Sequence, residues 1–561
     1  MRALRRIDGA GLVFLAAAAI LIFIVAAPLL RLLAVSFETA KTGAPTLANY
    51  VTAYGTPRHI SALLNTLAMG AGVVVLSTIF AAPLAWACSR TDMPGRGFVR
   101  MAVIGAFVTP PYLGAIAWIL LAGPKAGWIN RIWFAVSGSE HSLVNVFSYG
   151  GIVLAMSANL FFFLFSFLTS ALDMVSSEAE EAANILGANV FQTARRITFP
   201  LILPAFLGGL IVIFLQAIAL FGVPALLSPA ARFPVVTTQL AQFFEYPLRI
   251  EVAAAYAVPL AGITVLLFVL QRYMLARKGY VSVTGKGGER RPIGLGAWRW
   301  PVLGYCLFIC GISVFLPWWI LFQTALSRAW GAAPSFGNLT LHNFWLILFE
   351  IDLARDAMTR SFRYGAIAAC GAVVLGLVVS YIVARRLSVF GNFLAVLALV
   401  PLVIPGIVLA IGFYATYAPP PLALYGSATI LILAFITRFL PLAYTSCAAA
   451  IRNIHPEMED AVRILGGGRM VVLRRVVGPL MKRPLVGAWI MVFVPAVQEL
   501  STAVFLTGPQ TRVMSLMLLD FSEQGNLEMV AAASCLLLMV ILGVAVIGFR
   551  IVGRDFMARS G

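Results

Sequence analysis

SSEAEEAANILGANVFQTARRITFPLILPA occupies residues 176–205, and HPEMEDAVRILGGGRMVVLRRVVGPLMKRPL occupies residues 455–485. The two stretches align without a gap at an offset of 279 residues: Glu181 meets Asp460, Gly187 meets Gly466, Arg195-Arg196 meets Arg474-Arg475, and Pro200 meets Pro479. The same offset carries Leu220 onto Glu499 in the apolar run that follows. A register kept this long marks an internal repeat. Each copy reads as a short loop helix. In the first, Ser177 with Glu180 three residues on is a capping-box pattern. In the second, Pro456 suits the first helical position and Glu457 the first turn. Each helix then runs to a glycine, turns, and enters an apolar run beside a proline. Ala182, Ala183, Ala461 and Val462 are small enough to let another protein surface approach closely. A loop helix lying on lipid headgroups would have a similar composition. Two copies in register, at equivalent places in two halves, favour docking of another protein instead.

Outward from these loops the chain is apolar. Of its 561 residues 61% are hydrophobic and 11% charged, with a mean hydropathy of +0.95. Soluble chains carry roughly 25% charged residues, so lipid must be part of this chain's solvent. The formal charge of +18 sits in short loops between apolar runs, which is the pattern of membrane orientation and not of a nucleic-acid surface. A template of about 20 apolar residues per span predicts about twelve spans: near residues 11–36, 62–88, 100–122, 150–172, 200–223 and 251–275, then 301–326, 360–384, 390–417, 425–449, 483–507 and 527–551. The first apolar run follows Arg2, Arg5 and Arg6 and extends over residues 9–36. It is longer than the roughly 7–15 residues of a signal-peptide core, and is expected to stay as the first span. With the N-terminus inside, about 27 of the 40 basic residues fall in inside loops and tails, which predicts that both termini are cytoplasmic.

The linker RKGYVSVTGKGGERRPIGLGAWRW, residues 277–300, is the one clear break. It divides the chain into a first six-span half (1–276) and a second (301–561). An even number of spans per half makes the repeat parallel. The predicted fold class is an all-α membrane protein: about twelve transmembrane helices arranged as two parallel six-helix repeats.

The chemistry of a soluble enzyme is missing. Cys88, Cys306, Cys310, Cys370, Cys447 and Cys535 lie in or beside apolar runs and read as small buried hydrophobes; neither a disulfide framework nor a metal site is expected. The four histidines are scattered. Gly285-Lys286-Gly287 lacks the spacing and hydroxyl of the phosphate loop G-x-x-x-x-G-K-S/T, so no ATP site, catalytic residue or cofactor is expected on this chain. Few charges fall deep in the spans: Arg31, Arg438 and Glu499. Ionisable groups there are functional candidates, and Glu499 and Arg438 are the candidates for a solute pathway. For Glu499 the alternative is a carboxylate hydrogen-bonded to neighbouring helix groups or held neutral. Pro110-Pro111, Pro401 and Pro405-Gly406 interrupt the third and ninth spans. Either their freed carbonyls line the pathway or the kinks serve packing.

The pattern E-A-A, three residues, G, nine residues, I, two residues, P fits Glu181-Ala182-Ala183, Gly187, Ile197 and Pro200. It resembles the EAA loop of binding-protein-dependent ABC transporter permeases. The second copy is degenerate: Asp460-Ala461-Val462, Gly466, Val476 and Pro479. The resemblance covers essentially the whole chain, Asn65-Thr66-Leu67 included. It implies a type I importer permease in a bacterial inner membrane. The loops would be coupling helices for two copies of an ATPase subunit that binds ATP and Mg. A periplasmic binding protein would deliver the substrate. The fused layout, with Thr284-Gly285-Lys286-Gly287, is similar to ferric-iron-type permeases, which makes ferric iron the expected substrate; permeases for aminoethylphosphonate, thiamine or polyamines share the layout. A hard cation prefers oxygen ligands, for which the spans offer Glu499 and tyrosines such as Tyr364, Tyr414 and Tyr444. The rival of another class is a secondary transporter, which should carry intramembrane charge pairs for ion coupling.

Overall fold

A chain with 30 prolines cannot build every span straight and unbroken, because proline lacks the N–H and its ring clashes with the carbonyl four residues back. The computed structural model describes residues 9–40, 42–175, 180, 182–183, 185–277, 292–332 and 335–552. The basic N-terminus with Arg2, Arg5 and Arg6, the cap Ser177, the motif residue Glu181 and linker residues 278–291 lie outside the described residues. Among the described residues every regular element is helical, with only isolated bridge pairs besides.

Ten helices are long and apolar enough to cross a membrane. In the first half they are α1 (Leu12–Ser36), α2 (Pro57–Arg90), α5 (Tyr149–Met174), α6 (Phe191–Ala219) and α7 (Ile250–Met274). In the second they are α8 (Gly296–Ala325), α9 (Asp352–Ala384), α12 (Ala428–Arg452), α14 (Met470–Val497) and α15 (Leu527–Gly548). Two further pairs are bent: α3 (Arg96–Val108) with α4 (Pro111–Ala122) by 99°, and α10 (Gly391–Leu402) with α11 (Gly406–Tyr417) by 112°. They stand where the third and ninth spans were expected, broken at Pro110 and Pro405. Counting each pair as one span gives twelve, six per half.

Four prolines are accommodated in one way. A π-helical turn ends two residues before each of Pro28, Pro200, Pro317 and Pro479: Ile22–Ala26, Ala194–Thr198, Gly311–Phe315 and Leu473–Val477. The wider turn takes up the missing N–H without breaking the helix. These turns fall at matching places in the two halves, so the repeat extends beyond the aligned loops.

Each half gives its opening helix to the other. The Ile24 carbonyl, four residues before Pro28, accepts from Thr437 Oγ1 at 3.2 Å, and the Tyr417 hydroxyl donates to the Phe23 carbonyl. Both donors belong to the second half. In return α8 packs on the first half: Trp318 Nε1 donates to Thr109 Oγ1 at 2.8 Å and the Tyr305 hydroxyl to the Ile79 carbonyl at 2.5 Å. Small-residue contact allows the exchange. A Cβ on Gly412 would lie 2.6 Å from the Pro28 carbonyl oxygen. Gly412→Val is therefore expected to push α1 off the second half, lowering stability by about 1–3 kcal/mol; a thermal melt in detergent would read this directly.

Candidate functional site

Both repeat loops lie on one face of the bundle. The second contains a complete short helix, α13 (Pro456–Ile464), with proline in its first turn and Glu457 and Glu459 beside it. In the first, Glu180, Ala182, Ala183 and Ile185 are helical. Gly187 has φ +84° and Gly466 φ +80°, a conformation that L side chains resist. The next residue's N–H folds back in each copy: Ala188 N to the Ala183 carbonyl and Gly467 N to the Val462 carbonyl, both at 2.9 Å. This glycine-terminated closure explains the glycine of the motif in backbone terms.

What the loops present differs from the small-residue face read from the sequence. Ala182 and Ala461 are exposed and Ala183 and Val462 half-buried. The dominant exposed groups are large and apolar: Ile185 and Leu186 are 86% and 87% exposed, and Ile464 and Leu465 85% and 87%. Phe191 and Met470 add a third exposed apolar side chain to each copy. Two equivalent apolar knobs of this kind suit a partner surface. The signal was present as Ile-Leu-Gly in both copies. Asp460 is exposed and pairs with Arg463 at 3.1 Å.

The carboxylate one residue earlier behaves differently. Glu180 Oε1 accepts from Thr198 Oγ1 at 2.6 Å and forms an ion pair with Arg90. Its counterpart Glu459 is buried, accepting from Arg385 Nε at 2.7 Å and from the Tyr381 hydroxyl at 3.0 Å.

Midway through the bundle, the broken spans are closed by side chains at repeat-equivalent positions. The 279-residue offset carries Asn159 onto Arg438. Asn159 Nδ2 donates to the Ala106 and Thr109 carbonyls at 2.7 and 2.8 Å. Arg438 Nη1 donates to the Pro401 and Ile404 carbonyls at 3.4 and 2.5 Å. Freed carbonyls at both breaks are thus satisfied by the protein, and Arg438 is committed to backbone. Gln498 Nε2 reaches across the halves to the Val108 carbonyl at 3.0 Å.

Glu499 lies just past the end of α14, not inside a span as the hydropathy suggested. Its Oε1 accepts from Thr502 N at 2.9 Å and Thr502 Oγ1 at 3.1 Å, capping the short turn Ala503–Leu506. The chain breaks likewise at Leu220 in the first half. Both breaks sit against the bent pairs. A Cβ on Gly406 would be 3.2 Å from Glu499 Oε1, and one on Gly222 would be 2.9 Å from Tyr112 Cβ and 3.2 Å from Leu500. Tyr112 is buried, its hydroxyl has no hydrogen-bond partner among the described residues, and both it and Arg438 lie within electrostatic reach of Glu499. Sequence reasoning missed Tyr112. Of the tyrosines it named, Tyr414 packs edge-on against Phe244 and Tyr425, Tyr444 is buried, and Tyr364 is half-buried.

On the face opposite the loops, Glu245 of the first half lies near Asp520 and Glu523 of the second. Burial, then the charges of Asp520 and Glu245, hold the Glu523 carboxyl above the usual carboxylate range. Among the described residues no three His, Cys, Asp or Glu side chains converge as metal ligands. Five of the six cysteines are buried and Cys370 is exposed; none forms a disulfide.

A sequence profile described as binding-protein-dependent transport system inner membrane component matches the chain twice, over residues 72–280 and 372–554. The chain is 26% identical over 559 residues to a ferric transport system permease protein, FbpB, of Actinobacillus pleuropneumoniae, covering 96% of this chain and 78% of that one. It is 27% identical over 474 residues to the putative ferric transport system permease protein FbpB 1 of Haemophilus influenzae, covering 81% and 71%. A sulfate transport system permease protein, CysW, of Synechocystis sp. is 29% identical over 268 residues, which are 48% of this chain and 94% of that protein.

Proposed function

Because the chain belongs to the binding-protein-dependent transport system inner membrane components, we propose that it is the fused permease of an ATP-driven importer whose cargo is ferric iron. The two loops with their exposed Ile185-Leu186 and Ile464-Leu465 are the observation that carries the mechanism. Each is a docking knob for one ATPase subunit on the cytoplasmic side, as the Lys/Arg bias supports. ATP and Mg are held by those partners. A periplasmic binding protein hands its cargo to the opposite face, where Glu245 and Glu523 bring carboxylates from the two halves together and Asp520 pairs with Arg512. Closure of the ATPase pair on ATP pushes the loop helices and opens the bundle outward; hydrolysis returns it to the inward-facing state.

Ferric iron is favoured by the two ferric permease relatives and by oxygen chemistry at the junction, Glu499 with the unpartnered Tyr112 hydroxyl. Arg438, tied to two carbonyls, offers little to an anionic phosphonate. A conduit needs only weak ligands, since selection rests with the binding protein. The direct test is to reconstitute the chain with its ATPase and binding protein and ask which solute stimulates ATP hydrolysis. Ferric-loaded binding protein should do so; stimulation by a phosphonate, thiamine or a polyamine alone would remove the iron assignment.

Glu499→Gln keeps the cap on Thr502 and removes the charge. It is expected to lower ferric uptake about tenfold with ATPase binding intact. Unchanged uptake at limiting and saturating substrate would leave Glu499 as a cap only.

A further inference from the structure

The Arg–Glu pairs beneath the two loops are built alike and reach the same places. Arg90 is the last residue of α2, and Arg385 directly follows α9. Each arginine grips two points: the carboxylate on the loop helix, Glu180 or Glu459, and the backbone entering it. Arg90 Nη1 donates to the Val175 carbonyl at 3.2 Å, and Arg385 Nη2 to the Ile454 carbonyl at 3.0 Å. All four side chains are largely buried, with Glu459 only 2% exposed. The glutamates, like the two carbonyls, are related by the 279-residue repeat.

α2 and α9 carry the grip to the other side of the bundle. Thr66 Oγ1 on α2 accepts from Val236 N at 2.8 Å, and Ser361 Oγ on α9 accepts from Met514 N at 2.7 Å. Arg90 and Thr66 stand as far apart in sequence as Arg385 and Ser361, which along a helix is about 36 Å. The bonds at Val236 and Met514 begin the helices Val236–Gln242 and Met514–Glu523 on the face opposite the loops. Asp520 and Glu523 belong to the second of these.

We infer that Arg90 and Arg385 are positioning residues, each locking a loop helix to a strut, α2 or α9, that carries the ATPase stroke to the opposite mouth. This rests on the docking role proposed for the loops. A buried ion pair is poor evidence for stability, since an apolar pair of similar size often serves as well. What it adds is a fixed direction between two elements that must move together, and rigid elements with specific junctions are what transmit coupling.

The test uses the full complex with ATPase and loaded binding protein in lipid nanodiscs. The paired change Arg385→Leu with Glu459→Leu strands no buried charge, so the chain should fold. It should retain the ATPase in pull-down, yet stimulation of hydrolysis by loaded binding protein should fall about tenfold, within the usual range of coupling energies. Arg90→Leu with Glu180→Leu should act similarly. Arg385→Cys with Glu459→Cys should be equally impaired until bridged by a bifunctional thiol reagent, which the adjoining cavity of about 630 Å³ admits. Bridging should restore stimulation. Full stimulation in both Leu pairs with ATPase bound, or no recovery on bridging, would overturn the strut. Gly187→Arg with Gly466→Arg is the control for the docking role: if the pair leaves ATPase binding intact, the docking reading fails, whatever the Leu pairs do.

Discussion

Glu181→Lys with Gly187→Arg is expected to abolish ATP-driven uptake while the spans stay folded and inserted. The expectation rests on where Gly187 sits. It ends the loop helix at φ +84°, and a Cβ built there would meet nothing within 4 Å. The glycine serves backbone conformation, and the space around it is free for a partner. Arginine there costs about 1–2 kcal/mol in a left-handed conformation and sets a cation beside the Ile185-Leu186 knob. Losing the centre of a docking surface commonly costs about 2 kcal/mol or more, which is about thirtyfold or more in ATPase affinity. The matching Asp460→Lys with Gly466→Arg should also be severe, because Ile464-Leu465 is as exposed as the first pair. It adds a cation next to Arg463 as well. The measurements are ATPase pull-down and uptake, with a detergent melt to verify the fold; normal uptake in both variants would remove the docking assignment.

Arg438→Leu should instead destroy the protein. The guanidinium satisfies two carbonyls at the Pro401–Pro405 break and lies within electrostatic reach of Glu499. Its removal leaves two buried carbonyl acceptors without their charged donor and takes away a cation within reach of Glu499, at a cost of about 3–5 kcal/mol. A fold whose total stability is about 5–15 kcal/mol will lose much of its membrane-inserted population. Asn159→Leu removes only a neutral cap from two carbonyls and should cost less, about 1–3 kcal/mol. Inserted protein per cell and melting temperature would rank the two. Equal, small effects would mean that the breaks are satisfied some other way.

The spans, the parallel repeat and the proline breaks were legible because each depends on local properties: length of apolar run, register, and a missing N–H. The exchange of α1 and α8 between halves was not, because nothing in residues 12–36 names Thr437 or Tyr417 as a partner. Arg90 and Arg385 were read simply as positive charges at span ends or in loops; their partners lie 90 and 74 residues away, and only folding joins them. Glu499 was misplaced for a plainer reason. Apolar residues resume at Ala503–Leu506 after the polar stretch at 498–502, and no glycine or proline in 498–507 announces that α14 has ended. The repeated loops were found by their register, but their surface was read from alanines when the exposed Ile-Leu pair was equally repeated.

The account stands on the claim that transport through this bundle is driven by a docked ATPase. Proteoliposomes containing the chain with its ATPase, supplied with ferric-loaded binding protein on the opposite face, should accumulate iron only when ATP is present on the ATPase side. Imposed proton or sodium gradients should make no difference. Accumulation by the chain alone, driven by such a gradient and indifferent to ATP, would contradict it.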